Sequence, residues 1–237
     1  MRSAVQLLKD AFGIFTNNPN LFIAIFAVPT LLSLLLVAAD PFMNQYFTSA
    51  DTLSGIMVVA FLALITIIIT VNIMAGIAMV TAVSGTATSA GDAYRKARQY
   101  FWKYIALAFL MTLVLFGAYL LLIVPGVIAT VWFVFAYLIL ILEDTSIVDA
   151  LKRSKSYVKG KWWAIAWRMS FLMIFAFIFT FAYTFVGSFL AYFTHDLALS
   201  VITILSNVVF VPVAAAYLFG MYTDAKNSTV TEVSDAG

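Results

Sequence analysis

From Tyr104 to Leu142 the chain runs for 39 residues without a charge. As helix, at 1.5 Å per residue, that stretch is about 58 Å long, nearly twice a ~30 Å bilayer core. No water-soluble fold has room for such a segment. Pro125-Gly126 stands inside it: proline lacks an N–H and clashes with the preceding turn, and glycine accepts the angles of a tight reversal. We read two spans here, 104–124 and 127–142, joined by a minimal hairpin with Pro125-Gly126 on the far side of the membrane.

Four more runs are long enough to cross a membrane: 21–39, 53–83, 162–193 and 197–222, the last with a kink expected at Pro212. The composition agrees. Hydrophobic residues make up 64 % of the 237, charged ones 10 %, and mean hydropathy is +1.05, whereas soluble domains are about a quarter charged. A chain with so little polar surface is not a soluble enzyme, a nucleic-acid binder or a disordered regulator. It has no cysteine and a single histidine, His195, so neither a thiolate site nor a metal centre is expected, and no cofactor. The fold class expected is all-α: a six-span bundle in one membrane domain, residues 1–222, with a disordered cytoplasmic tail over 223–237.

With six spans, all thirteen Lys and Arg fall on one side, and Asp40, Asp51, His195 and Asp196 on the other. The positive-inside bias then makes both termini and the basic loops cytoplasmic. Val37-Ala38-Ala39 resembles a signal-peptidase site, but the run before it exceeds a usual signal core and follows Asp10, so the first span is read as uncleaved.

The basic segments repeat at an offset of 57 residues: Ser89, Asp92, Ala93 and Tyr100 lie over Ser146, Asp149, Ala150 and Tyr157. Arg95, Lys96 and Arg98 lie over Lys152, Arg153 and Lys155. Ser-x-x-Asp is a helix start, because the hydroxyl caps free N–H groups and the carboxylate faces the positive end of the helix. Asp92–Lys96 and Asp149–Arg153 are expected as i,i+4 pairs. A fainter copy, Ser3-Ala-Val-Gln6, opens the chain. The plan is three pseudo-repeated units, each an interfacial amphipathic helix followed by two spans. Such helices anchor a bundle to anionic lipid; the sharper alternative is a basic collar for headgroups or for a protein at the cytoplasmic face.

Residues 121–163 carry a resemblance. Leu121-Leu-Ile-Val-Pro-Gly126, an apolar span, Glu143, Ala150-Leu-Lys-Arg-Ser154 and Lys159-Gly-Lys-Trp-Trp163 resemble the membrane domain of some glycerophosphoryl diester phosphodiesterases and related uncharacterised six-span prokaryotic proteins. In that family catalysis belongs to a separate soluble domain. The resemblance thus implies a membrane module tied to lipid or headgroup, without chemistry of its own.

The residues themselves agree that an enzyme is not expected. No nucleophile elbow, zinc-protease or phosphate-loop motif occurs. Glu143-Asp144 reads as capping or loop solvation. Asn72 and Asn207, with Thr66, Thr70, Thr203 and Ser206, read as polar glue between spans. Arg168, six residues beyond Trp162, either snorkels to the headgroups beside Trp162, Trp163 and Trp167 or joins Lys159 and Lys161 in a phosphate-binding notch. The small-residue tract 81–91 reads equally as a packing face or a flexible exit. Two function classes follow: a lipid-associated, non-enzymatic membrane module for homeostasis or assembly, or a transporter or channel for a small neutral or amphiphilic solute. The latter lacks the buried carboxylates of a driven carrier.

Overall fold

The computed structural model describes residues 1–49, 55–194 and 197–234, so the expectations for Asp51, His195 and Asp196 lie outside the described residues. Among these, the chain is all helix: α1 (Ala4–Asn17), α2 (Pro19–Ser49), α3 (Gly55–Val83), α4 (Ala90–Leu121), α5 (Ile123–Trp132), α6 (Ala136–Leu142), α7 (Ile147–Val158), α8 (Trp162–Thr194) and α9 (Leu197–Ser234). Six stretches are long and apolar enough to cross a membrane: Pro19–Ala38, Val59–Val83, Ala90–Leu121, Ile123–Leu142, Trp162–Leu190 and Val201–Thr229. By helix length and composition this is a multi-pass membrane protein.

Each repeated segment starts a helix at its serine. Ser3 and Gln6 form a reciprocal capping box over α1, with Gln6 N–H donating to Ser3 Oγ at 3.2 Å and Ser3 N–H to Gln6 Oε1 at 3.0 Å. Ser89 and Ser146 likewise accept from the N–H groups of Asp92 and Asp149, each at 3.2 Å.

Several boundaries differ from the sequence reading. The second amphipathic segment and the third span are one unbroken helix, α4, because nothing between Trp102 and Tyr104 interrupts the ladder. The hairpin reversal falls at Leu122 rather than at Pro125-Gly126, since Pro125 is tolerated in the first turn of α5. Gly126 serves closeness instead: a β-carbon there would stand 2.3 Å from the Tyr119 ring. α9 continues through Pro212 and on to Ser234, so the tail expected to be disordered over 223–237 is helical to Ser234, and 235–237 lie outside the described residues. Its start is held in place, with Ala225 buried, Asp224 bonded to Arg2 and Lys226 to Glu143. The tract 81–91 is a packed turn: Thr81, Ala82, Val83 and Ala87 are buried, Gly85 has φ +71°, and the N–H groups of Thr86 and Ala87 return to the Thr81 carbonyl.

Burial is concentrated at one end. It takes in Phe22–Phe26 of α2, Ala75–Val83 of α3, Ala93–Met111 of α4, Val131–Ile141 across α5 and α6, and Val213–Ala225 of α9. The same end carries every Lys and Arg. The opposite halves present large apolar side chains outward, such as Leu31, Leu62, Phe177 and Phe185, as suits lipid contact. Asn72 is exposed there and donates to the Ile68 carbonyl of its own helix at 2.9 Å, rather than bridging two spans.

Candidate lipid site

α7 is the element that makes a site. Ala150, Ser154 and Val158, spaced by four, form its buried face. Ser154 meets the interruption between α5 and α6: its hydroxyl donates to the Trp132 carbonyl at 2.7 Å and accepts from the Phe135 N–H at 3.2 Å. These are backbone groups that a broken helix leaves over. Lys155 lies with its Nζ 4.2 Å from the centre of the Trp132 ring, a cation–π contact. At its end Gly160 adopts φ +79°, a left-handed angle that glycine takes without strain. The chain then turns through Lys161 into α8.

Between that turn and α5 lies a groove of about 600 Å³. Ile123, Val124, Val127 and Ile128 line one wall, and Val158, Lys159, Trp162 and Trp163 the other. Trp162 reaches across, its indole N–H 3.5 Å from the Ile128 carbonyl, and packs edge-on against Trp163. The trough is apolar along its length, with an ammonium and two indoles on one wall.

Of the residues singled out from sequence, Lys159, Trp162 and Trp163 line this groove. Lys161 stands at the same turn and bonds Thr229 Oγ1 at 3.3 Å. Arg168 lies elsewhere. Its Nε and Nη2 donate to the Arg2 carbonyl at 3.0 and 2.5 Å, and Nη1 to the Ala164 carbonyl at 3.2 Å. Arg2 in turn pairs with Asp224 and Asp10, both at 2.8 Å. The guanidinium, for which snorkelling and a phosphate notch were both open from sequence, thus ties the N-terminus to α8, and through Arg2 to α9.

The collar residues divide between the two helices. Arg95 and Lys96 pair with Asp92 of their own helix, at 2.6 and 3.4 Å, and Lys96 also bonds the Thr86 carbonyl. Arg98, Lys152 and Lys155 present exposed positions. Arg153 does not hold Asp149 as expected; it pairs with Glu143 at 2.8 Å, and Asp149 accepts from Ser146 Oγ instead.

Glu143 is the residue that sequence reasoning undervalued. Its side chain is 8 % exposed and accepts from Arg153, Tyr157, Tyr222 and Lys226 at 2.7–2.9 Å. Burial alone would raise its pKa; the hydrogen bonds from Tyr222, Lys226, Arg153 and Tyr157 outweigh burial and hold it at about 2. Burial, with the bond to this carboxylate, pushes the Tyr157 phenol up to about 12. Glu143 thus locks α7, which forms a wall of the groove, onto α9. Its presence among the residues of the resemblance was the available signal. Among the described residues no three His, Asp or Glu side chains gather as metal ligands. Compared with family models, curated proteins and solved structures, the chain matches none.

Proposed function

We propose that this protein is a non-enzymatic integral membrane module that holds an anionic lipid at its basic end, in support of membrane homeostasis or assembly. The observation that carries the reading is the groove, in which an apolar trough meets Lys159, Trp162 and Trp163. One acyl chain lies along Val124, Val127 and Ile128, and the headgroup meets Lys159, with Lys155 and Lys152 adding attraction worth about 1 kcal/mol each. The positive-inside bias makes that end, with both termini, cytoplasmic. The resemblance of residues 121–163 to a phosphodiesterase membrane domain implies the same class of ligand.

Native mass spectrometry of protein released in mild detergent tests it. Wild type should retain an anionic phospholipid at high salt. Val127→Trp should lose it by filling the trough, and Lys159→Gln should bind more weakly, most visibly at low salt, where exposed charges are least screened. Arg168→Gln should keep it, because that guanidinium serves the N-terminus. Wild type without salt-resistant lipid, or Val127→Trp with its lipid intact, defeats the proposal.

A further inference from the structure

The hairpin between α4 and α5 is entirely apolar at its tip, and Leu120, Leu121, Leu122, Ile123 and Val124 are each 68–75 % exposed. A turn emerging into water would set five large hydrophobic side chains in solvent, where each buried one is worth about 1.5–3 kcal/mol. From Leu120 to Ile128 there is no polar side chain, and Pro125 and Gly126 are the only residues of a turn-forming type.

The level of the tip can be bounded. Trp162 donates to the Ile128 carbonyl, and Val124 shares a groove with Lys159. Lys159, Lys161 and Trp162 mark an interface, since lysines flanking a span keep their ammonium groups at the headgroups and tryptophans sit beside them. Leu122 precedes Ile128 by six residues, about 9 Å of helix even if α5 stood along the membrane normal. That distance plus one indole's reach is about half of a ~30 Å core. Lys103, paired with Asp144 at the basic end, lies 19 residues or about 28 Å of helix before Leu122, so α4 must run steeply inclined to the membrane normal for the turn to fall short of the opposite surface.

We infer that α4, α5 and α6 form a re-entrant hairpin. It enters the membrane from the basic side, turns at Leu122 within the acyl chains of that leaflet, and returns to the same side. The bilayer interior is what covers its exposed tip. The backbone suits this: Leu122 N–H donates to Ala118 and Gly126 N–H to Leu122, each at 3.3 Å, and Pro125 has no N–H to satisfy. The start of α5 thus leaves fewer orphan donors than the four of an ordinary helix start. The charge distribution is unchanged, because a re-entrant hairpin and a pair of spans both return the chain to the side it left. The outward-facing Pro125-Gly126 turn expected from sequence is replaced by a buried one.

The chain has no cysteine, so single cysteines report cleanly. Leu122→Cys and Val124→Cys would be probed in sealed vesicles with a membrane-impermeant maleimide applied from either side. Ser156→Cys marks the basic side, and Asp51→Cys the side that the sequence reading places opposite. Labelling at both hairpin positions should fall to background from each side and return in detergent. A bimane placed there should be quenched by lipids labelled along the acyl chains and not by a water-soluble quencher added to either side. Labelling from the Asp51→Cys side restores the outward turn, and labelling from the Ser156→Cys side puts the tip in water; either overturns the inference. Neither readout depends on a lipid being retained in the groove, so the two proposals stand or fall separately.

Discussion

The segments that begin at Ser89 and Ser146 share a capping serine and an aspartate in the first turn, and each buries an alanine at the same position, Ala93 and Ala150. Yet one runs on as a helix of 32 residues into the membrane, and the other stops after 12. Gly160 stands where the earlier copy has Lys103; the later ladder ends at Lys159, whose ψ is 131°, and Gly160 turns the chain away with φ +79°. A second difference is one position on the buried face, Ala97 against Ser154, both wholly buried. The alanine packs and asks for nothing. The serine bonds two backbone groups at the break between α5 and α6, and so seats α7 against those helices. Local sequence made the same helix twice; a glycine and a hydroxyl sent the copies to different places.

The basic residues part in the same way. Lys96 stays within its own neighbourhood, on Asp92 and the Thr86 carbonyl, whereas Arg153 at the matching position reaches Glu143. The largest expected effect lies there. Glu143→Gln leaves Arg153 and Lys226 without their carboxylate, and with those cations partly exposed the loss should be about 2–3 kcal/mol, read as a lowered thermal midpoint in detergent. The sign with pH follows. A carboxyl held at about 2 against an ordinary 4.5 contributes stability that is complete above pH 4.5 and lost as pH falls toward 2. Wild type should lose thermal stability over that window, and Glu143→Gln should lose much less. Parallel pH profiles would show that the carboxylate is not what holds α7.

Next in size is Ser154→Ala, which gives the later copy the earlier copy's residue. It leaves the Trp132 carbonyl and Phe135 N–H unbonded, at about 1–2 kcal/mol. Hydrogen exchange should quicken at Phe135 while α4 is unaffected. The reciprocal Ala97→Ser should cost less, because its hydroxyl has the carbonyl four residues back to bond. Equal losses from the two swaps would mean that both positions respond to packing alone.

The smallest effect tests what the copies share. Ser89→Ala and Ser146→Ala each remove one cap, about 1 kcal/mol, and the two losses should agree within error. A clear excess at Ser146, whose hydroxyl also donates to Asp149 at 2.7 Å, would assign the second copy a stronger start.

Helix starts were legible because a cap is a contract between residues three apart, and Ser3, Ser89 and Ser146 display theirs openly. The apolar runs were legible for a similar reason: a helix in a bilayer satisfies its own backbone, so length and the absence of charge mark which segments can enter the membrane. The membrane class followed from composition, and the expectation of one-sided charge from where the charges fall between the apolar runs. The ends of elements were less visible. A turn at Leu122 and a tail helical to Ser234 depend on what packs against them.

The site belonged to tertiary structure. Glu143 draws its donors from 10, 14, 79 and 83 residues away, and no local pattern announces partners at such separations. For Arg168 the tryptophans and lysines near it in sequence left a snorkelling anchor and a phosphate notch both open; in space its neighbour is the Arg2 carbonyl, 166 residues distant. The groove exists only because α7 folds back against α5, bringing Lys159 beside Val124. Sequence alone determined that this chain lives in a membrane, how its helices begin and where its charge lies, since those depend on near neighbours and on solvent. Which carboxylate, which arginine and which apolar wall meet was decided by packing, because an ion pair or a groove forms between whichever surfaces the folded chain brings within a few ångströms.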